Sequence, residues 1–344
     1  MQKTIFVVDD NDTNLSVIKD ALKEQYRVMT LPSAAKMFAL IEKITPDSIL
    51  LDIEMPEMDG FEALRRLKAN KLYAGIPVIF LTAMTDAAIE ARGFQLGVVD
   101  FITKPFSAPV LLNRMKTHLD IDGIIRERTA QLQRLKHGIV FVLADMVENR
   151  DHGTGGHVER TTMYVEILIA AMMARGVHIE EIRGMNQESL ASSARLHDVG
   201  KISISDTILN KPDKLTAEEF TIMKTHTTEG ERIIDQIISR TDNQEFLHNA
   251  KLFAGYHHER WDGKGYPYGL EGASIPLQGR LMAIVDVYDA LISERPYKKA
   301  FTHEEATQII VENAGKQFDP SLAQLFYEVS GQFKELKNMA VTKL

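Results

Sequence analysis

The stretch "GYHHERWDGKGYP", residues 255–267, decides how the second half of the chain folds and what it binds. Two adjacent histidines, His257 and His258, precede a loop rich in glycine, tyrosine and proline. Neighbouring residues on a helix point about 100° apart, so these two would not easily chelate one cation from the same side. They could line a site in which another residue bridges two cations.

The segment "LHDVGK", residues 196–201, offers such a bridging residue. By itself His197-Asp198 would be interpreted as an ordinary polar step at the end of a helix. A carboxylate, however, has two oxygens and can join two cations roughly 3.5–4 Å apart. Chance easily explains any single member of the candidate set and explains the complete set poorly. The set is His157, His197, Asp198, His226, His257, His258 and Asp286.

Composition restricts the class of protein. The chain has 344 residues, enough for two or three domains, with 44% hydrophobic and 26% charged residues and a net charge of −8. That charge disfavours general affinity for nucleic acid or anionic lipid. The absence of cysteine excludes disulfides and thiolate ligands, leaving histidine and carboxylate to bind metals. We find no signal peptide and no membrane-spanning run, and therefore expect a cytoplasmic protein.

The first 119 residues alternate short apolar runs with amphipathic segments such as 14–24 and 60–71. This alternation of strand-like and helix-like segments predicts a doubly wound parallel sheet of five strands. The predicted strands are Thr4–Val8, Tyr26–Thr30, Ser48–Leu51, Ile76–Leu81 and Val98–Ile102.

Polar side chains follow four of these strands, at the edge where such sheets bind ligands. They are Asp9, Asp10, Asp52, Thr82 and Lys104. Three carboxylates close together indicate a Mg²⁺ site, and a carboxylate can also attack phosphorus. For any one of these residues, capping of a strand end would be the simpler interpretation.

Four motifs in this segment, "VVDDN", "LLDIEMPEMDGFE", "FLTA" and "DFITKPF", resemble the signatures of the response-regulator receiver domain. The resemblance implies that Asp52 accepts a phosphoryl group from a sensor histidine kinase and that Asp9 and Asp10 hold Mg²⁺. It further implies that Thr82 and Lys104 sense the phosphoryl group and that Phe101 is the aromatic switch residue.

Residues 120–140 carry an approximate heptad stripe formed by Ile121, Ile125, Leu132, Leu135 and Ile139. A helical linker fits this pattern, either as a parallel coiled coil in a homodimer or as a lone amphipathic helix packed on its own domain. We therefore divide the chain into a receiver domain (1–119), a linker (120–140) and a second domain (141–344).

The second domain is predicted to be mainly helical, with a Gly/Pro/Tyr-rich loop at 261–276. The predicted helices are 161–174, 187–196, 217–238 and 280–293. From about residue 145 to 330 the chain resembles the HD-GYP subgroup of the all-α HD phosphohydrolase superfamily. The motifs are "RDHGTGGHVER", "LHDVGKISI", "KTHTTEG", "GYHHERWDGKGYP" and "DVYDALISERPYKK".

The resemblance implies a binuclear metal site and its ligands. One metal is held by His157, His197, Asp198 and Asp286, and Asp198 bridges to a second held by His226, His257 and His258. Mixed imidazole and carboxylate ligands suit Fe and Mn, and also Zn or Ni.

The resemblance also assigns residues to the substrate. Lys201 contacts a phosphate or the attacking water, and Arg295 and Lys298 clamp phosphate. The Gly265-Tyr266-Pro267 loop lies beside the site; as far as chemistry is concerned, it could equally be a simple turn.

For the family the substrate is cyclic di-GMP, which a hydroxide held between the metals converts to pGpG and then, in a second step, to GMP. Family members with three metals carry a glutamate where this chain has Gly153. We therefore expect two metals and a slow or absent second step, although His152 or Glu159 could substitute.

Two other readings stay open. The chain could be a weakly catalytic cyclic di-GMP sensor that acts through partners, such as a diguanylate cyclase bound by the GYP loop. It could also hydrolyse another cyclic dinucleotide. The sequence has no helix-turn-helix segment, and we therefore do not expect DNA binding.

Overall fold

The computed structural model describes residues 2–83, 86–150, 156–241, 244–294 and 299–341. The chain divides into two compact units, Met1–Gln133 and Arg134–Leu344, and each is described by itself below.

The first unit is built on one parallel sheet of five strands in the order β2-β1-β3-β4-β5. The prediction of a doubly wound sheet is therefore confirmed. The strands are β1 (Thr4–Val8), β2 (Arg27–Leu31), β3 (Ser48–Asp52), β4 (Val78–Thr82) and β5 (Asp100–Thr103).

Three strands begin later than the sequence predicts, β2 by one residue and β4 and β5 by two. Pro77 has no N–H to donate to the ladder, so β4 begins at Val78 rather than Ile76. Val98 donates its N–H to Gly93 O at the end of the preceding helix, and β5 begins at Asp100.

Helices cover both faces of the sheet because successive strand residues point to opposite sides. Phe6 and Val8 belong to one buried cluster, whereas Ile5 and Val7 belong to the other. The helices are α1 (Asp12–Leu22), α2 (Ala34–Ile41), α3 (Gly60–Ala69), α4 (Ala87–Gln95) and α5 (Ala108–Glu148).

Helix α5 has 41 residues and includes the whole predicted linker. The sequence-based boundaries at 119/120 and 140/141 both fall inside this helix and remain predictions. The five residues of the predicted heptad stripe, Ile121, Ile125, Leu132, Leu135 and Ile139, are all between 48% and 67% exposed.

The second unit is helical. Its helices, after the end of α5, are α6 (His157–Arg175), α7 (Ile179–Ile182), α8 (Gln187–Ser193), α9 (Asp206–Leu209), α10 (Ala217–Lys224), α11 (His226–Ile238), α12 (Gln244–Tyr256), α13 (Leu277–Ile292), α14 (His303–Glu312) and α15 (Pro320–Val341). Its largest buried cluster joins α6, α13 and α15, with Tyr164 stacked on Phe333 at a ring-centroid distance of 4.5 Å.

One helix predicted from the sequence is two in the structure. The segment 217–238 breaks at Thr225, whose hydroxyl donates to Ile222 O, while His226 Nδ1 lies 2.7 Å from Met223 O. These side chains occupy carbonyls that a continuous helix would use, so His226 becomes the first residue of α11. Among the described residues, no helix is both long and apolar enough to cross a membrane.

Candidate metal centres

Most of the residues predicted as metal ligands lie at or beside the ends of helices. His157 begins α6, His226 begins α11, and His257 and His258 follow α12. His197-Asp198 connects two 3₁₀ turns, Ala194–Leu196 and Val199–Ser203. Asp286 lies within α13.

Gly200 explains why the HD segment can lie so close to α11. A Cβ atom at this position would lie 1.8 Å from His226 O and 2.5 Å from Gly230 N. Only glycine permits this approach, which brings the Asp198 carboxylate toward the His226 ring.

Two groups of potential ligand atoms converge in the second unit. In each group the atoms lie within 4.8 Å of one another; the groups are His157, His197 and Asp198, and His226, His257 and His258. Asp286 belongs to neither of these tight groups, but its Oδ1 lies 3.5 Å from His157 Nε2.

Asp198 belongs to the first group and also approaches the second. Its Oδ2 is 3.3 Å from His197 Nε2, and its Oδ1 is 3.5 Å from His226 Nε2 and 3.7 Å from His257 Nε2. Donors that share one ion at about 2.0–2.2 Å must lie roughly 3–3.5 Å from each other. The donor spacing therefore fits cations on both sides of this carboxylate.

Backbone carbonyls fix the orientation of three rings. The Nδ1 atoms of His197, His226 and His257 lie 2.9, 2.7 and 3.0 Å from Ala194 O, Met223 O and Phe253 O. Because a carbonyl can only accept, each Nδ1 carries the proton and each Nε2 keeps its lone pair toward the site. His197 Nε2 is buried without a hydrogen-bond partner, which is the state of a donor that fits a metal.

Burial sets the charge of these ligands. It is the main reason that the pKa of His257 lies well below its usual value and that of His258 falls to about 4. Burial alone would raise the pKa of Asp198, but Lys201 and His197 hold it well below its usual value. At neutral pH the rings of His257 and His258 are therefore neutral and the Asp198 carboxylate is ionised, which are the forms that bind metals.

His157 is held by residues that the sequence analysis did not single out. Its Nδ1 donates to Asp289 Oδ2 at 2.8 Å, and Arg160 donates to both oxygens of the same buried carboxylate at 2.7 and 2.9 Å. Although burial disfavours the charged ring, Asp289 and Asp286 raise the pKa of His157 to about 9. The spacing of Asp289, one helical turn after Asp286, was the only sequence signal for this role.

A second carboxylate supports His157 from the backbone side. Glu148, the last residue of α5, accepts hydrogen bonds from the amides of His157 at 2.7 Å and Val158 at 3.1 Å. Anionic side chains are favourable at a helix N-terminus, so the end of α5 stabilises the start of α6.

The GYP loop folds back on the histidine pair. Buried Glu259 accepts backbone hydrogen bonds from Tyr268, Gly269 and Leu270 at 2.7, 3.1 and 3.1 Å. The Tyr266 ring lies 4.7 Å from the ring of His258, measured between centroids. The loop is therefore held against one candidate metal ligand.

The remaining predicted residues fall in different places. Lys201 Nζ lies 2.8 Å from Asp198 Oδ2, whereas Glu159 is exposed on the first turn of α6. His152, Gly153, Arg295 and Lys298 lie outside the described residues.

In the first unit the predicted acidic residues converge at the sheet edge. Asp9, Asp10 and Asp52 offer oxygens within 4.8 Å of one another, an all-oxygen set that suits Mg²⁺. Lys104 Nζ lies 2.9 Å from Asp9 and 2.7 Å from Asp52. Burial raises the pKa of Asp52 even though Lys104 opposes this change.

Thr82 and Phe101 lie on the paired strands β4 and β5. Thr82, the last residue of β4, is buried. Phe101 is also buried, with its ring 5.7 Å from Phe80 and 5.1 Å from Phe94.

Comparison with known proteins gives two family matches. A model described as HD domain matches residues 141–322, and one described as response regulator receiver domain matches residues 5–116. The HD match implies a divalent metal site, consistent with the His/Asp groups above.

Three relatives illustrate the range of similarity. A probable cyclic di-GMP phosphodiesterase of Vibrio cholerae is 38% identical over 94% of this chain and 77% of its own length. The cyclic di-GMP phosphodiesterase response regulator RpfG of Xanthomonas campestris pv. campestris is 34% identical over 96% of this chain and 89% of its own. The 3'3'-cGAMP-specific phosphodiesterase 2 of Vibrio cholerae is 37% identical over 59% of this chain and 36% of its own.

Proposed function

Because the chain belongs to the family of response regulators that join a receiver domain to an HD domain, we propose that it hydrolyses cyclic di-GMP to pGpG. The observation that carries this proposal is the position of Asp198 between two groups of histidines. Relatives that align along most of the chain bear the name cyclic di-GMP phosphodiesterase.

The proposed site holds two divalent transition metals, with Fe or Mn favoured by the mixed nitrogen and oxygen ligands. His157, His197 and Asp286 would bind the first, His226, His257 and His258 the second, and Asp198 both. Two such cations, when bound, lower the pKa of a water molecule and offset charge on the phosphoryl oxygens.

The chain's own side chains prepare the site for an anionic substrate. The Lys201 ammonium, 2.8 Å from Asp198, is within reach of a phosphoryl oxygen that enters beside this carboxylate. The buried rings exclude water, which strengthens charge interactions there. Arg295 and Lys298 are proposed as further phosphate contacts from the motif alone.

Turnover of cyclic di-GMP tests the proposal. Protein reconstituted with Mn²⁺ or Fe²⁺ should form pGpG and retain about two metals per chain, measured by chromatography and elemental analysis. The exposed Asp235→Asn variant should match the wild type. Tight binding without hydrolysis under either metal would favour the sensor interpretation instead.

A second candidate substrate is another cyclic dinucleotide, because one relative is named for 3'3'-cGAMP. Parallel measurement of kcat/KM for cyclic di-GMP and 3'3'-cGAMP decides between them. A larger value for 3'3'-cGAMP would overturn the proposed substrate while leaving the metal site intact.

The absence of a third-metal ligand at Gly153 leads us to propose that pGpG accumulates. The exposure of Glu159 supports this, since its carboxylate belongs to none of the groups of converging ligand atoms among the described residues. GMP as the main early product would contradict a purely binuclear site.

We propose that phosphorylation of Asp52 by a sensor histidine kinase, with Mg²⁺ held by Asp9 and Asp10, regulates turnover. The buried ring of Phe101 and buried Thr82 are the residues whose packing would respond. Equal turnover with and without an acyl-phosphate mimic would exclude control through Asp52.

We also propose a homodimer through α5. Seven apolar side chains on this helix are exposed, at positions 121, 125, 132, 135, 139, 142 and 146. They follow one another at steps of three and four residues, except that Arg128 occupies the position expected between 125 and 132. A parallel coiled coil would bury them. Sedimentation should show a wild-type dimer, a Leu135→Glu monomer and a dimer for the off-stripe control Gln131→Glu.

The GYP loop is the proposed contact for a diguanylate cyclase. Tyr268, directly after the Gly-Tyr-Pro sequence, is 51% exposed while its hydroxyl donates to Glu231 Oε2 at 2.5 Å. Loss of cyclase binding in Tyr268→Ala, with turnover retained, would support this contact.

A further inference from the structure

Phe220 on α10 is an exposed aromatic side chain close to the metal-ligand histidines. It is 46% exposed, and its ring centroid lies 6.3 Å from that of Tyr266. Tyr266 in turn lies 4.7 Å from His258. A series of rings therefore leads from the surface to a candidate metal ligand.

Lys224 lies on the same face of α10 as Phe220, since residues four apart are neighbours on a helix. Its Nζ is 5.4 Å from the ring centroid of Phe220 and 5.9 Å from that of Tyr266. Among the described residues, no carboxylate lies within ion-pairing distance of this ammonium. Its positive charge is therefore available beside two aromatic rings.

A cyclic dinucleotide presents two purine bases and two phosphates. The metal site with Lys201, Arg295 and Lys298 contacts the cleaved phosphate on the proposed function, which leaves the bases and the other phosphate unassigned. Aromatic side chains bind bases by stacking, and a lysine binds phosphate as a point charge. The Phe220 ring could therefore bind a base, and the Lys224 ammonium beside it could bind the neighbouring phosphate.

From these contacts we propose that Phe220, Lys224 and Tyr266 form a subsite for one purine base and the phosphate that is not cleaved. The proposal rests on the proposed function, because it assigns the second half of the same substrate. The Phe220 ring stacks on the base, Tyr266 borders it on the metal side, and Lys224 contacts the phosphate.

Substitutions at exposed positions of α10 test the subsite through KM. Phe220→Ala should raise the KM for cyclic di-GMP roughly tenfold, the range of a lost base stack, with a smaller change in kcat. Phe220→Trp should keep KM within about threefold of wild type, because the larger ring still stacks. Ile222→Ala is the control, since Ile222 is also 46% exposed on the same helix.

Lys224→Gln tests the phosphate contact separately. It should raise KM several-fold at low salt and less at high salt, because salt screens exposed charges. Lys214→Gln, an exposed lysine before the same helix, is its control. Metal content of every variant should equal that of wild type.

The outcomes separate the two proposals. A wild-type KM in Phe220→Ala, or an equal rise in Ile222→Ala, would overturn the subsite while wild-type turnover upholds the proposed function. A wild-type protein that neither binds nor hydrolyses cyclic di-GMP would overturn both.

Discussion

Each of the two units places a lysine next to an aspartate, and the two pairs differ in the residues that surround them. Lys104 lies 2.7 Å from Asp52 among carboxylates, whereas Lys201 lies 2.8 Å from Asp198 among imidazoles. Burial raises the pKa of Asp52, while Lys201 and the neighbouring rings hold the pKa of Asp198 well below its usual value despite its burial.

The difference suits two kinds of chemistry. Oxygen ligands alone favour Mg²⁺, and imidazoles favour transition metals. A carboxylate that must react with phosphorus needs some basicity, whereas one that holds two cations must remain ionised. On the proposed function, the Asp52 carboxylate would carry a phosphoryl group transiently, whereas the Asp198 carboxylate would hold its metals permanently.

Removing the shared carboxylate should break the second site most completely. Asp198→Asn replaces the carboxylate that we propose both metals share, so the loss of turnover should exceed the roughly 10–100-fold expected for an outer partner. Metal content should fall toward zero. The same substitution at exposed Asp235 should leave both quantities unchanged; retention of two metals by Asp198→Asn would contradict the bridging role.

The two units can also be compared through Gly200 and Gly60, the glycines that pack closely on backbone atoms beside each candidate site. A Cβ at Gly200 would lie 1.8 Å from His226 O, and one at Gly60 would lie 2.4 Å from Asp52 O. Gly200→Ala should lower the free energy of unfolding by about 3 kcal/mol, and Gly60→Ala by about 1–2 kcal/mol.

Chemical denaturation of each variant measures this difference. Gly331→Ala is the control, because its Cβ would meet nothing within 4 Å and alanine favours a helix. An unchanged stability of Gly200→Ala would mean that the HD segment does not pack as closely on α11 as described.

A substitution at Asp289 tests whether the hydrogen bond to His157 Nδ1 holds this candidate metal ligand in place. Asp289→Asn weakens the hydrogen bond to His157 Nδ1 and removes the charge that Arg160 pairs with. We expect a 10–100-fold loss of metal affinity, measured by competition with a chelator. Asp289→Glu should recover part of that affinity; equal affinity in wild type and Asp289→Asn would exclude the role.

The sequence predicted the first unit well for a physical reason. Fully buried strands are continuous apolar runs, so β1 was predicted with its observed bounds and the acidic residues followed directly. In the second unit the ligand set came from the resemblance that the order of motifs carries, and it stays a prediction. Contacts such as Asp289 with Arg160, 129 residues apart, left no periodic signal.

Competition between side chains and backbone amides for the same carbonyls also limited the prediction of helix ends. The apolar pattern of 217–238 continues through Thr225, and only the side-chain bonds of Thr225 and His226 to nearby carbonyls end α10 there. Likewise, the role of Glu259 depends on three backbone amides of a loop that folds back on it.

Asp100 is a carboxylate of the first unit that belongs to none of the candidate metal groups in the described part of the chain. Its substitution is expected to have the smallest effect of those considered. Burial alone would raise its pKa, but His118 at 3.0 Å and Arg114 lower it below the ordinary value of 3.8. A group whose pKa is lower in the folded state stabilises that state above pH 3.8 and loses this contribution as pH falls through the folded value.

Asp100→Asn should therefore lower the free energy of unfolding at pH 7 by less than about 1 kcal/mol, since both partners are partly exposed and water screens the pair. The difference from wild type should persist down to about pH 4 and shrink below it. Urea titrations of both proteins at pH 7, 5, 4 and 3 measure this, with exposed Asp20→Asn as a control that should change less. A difference that grows between pH 4 and pH 3 would show that burial, rather than His118 and Arg114, determines the charge of Asp100.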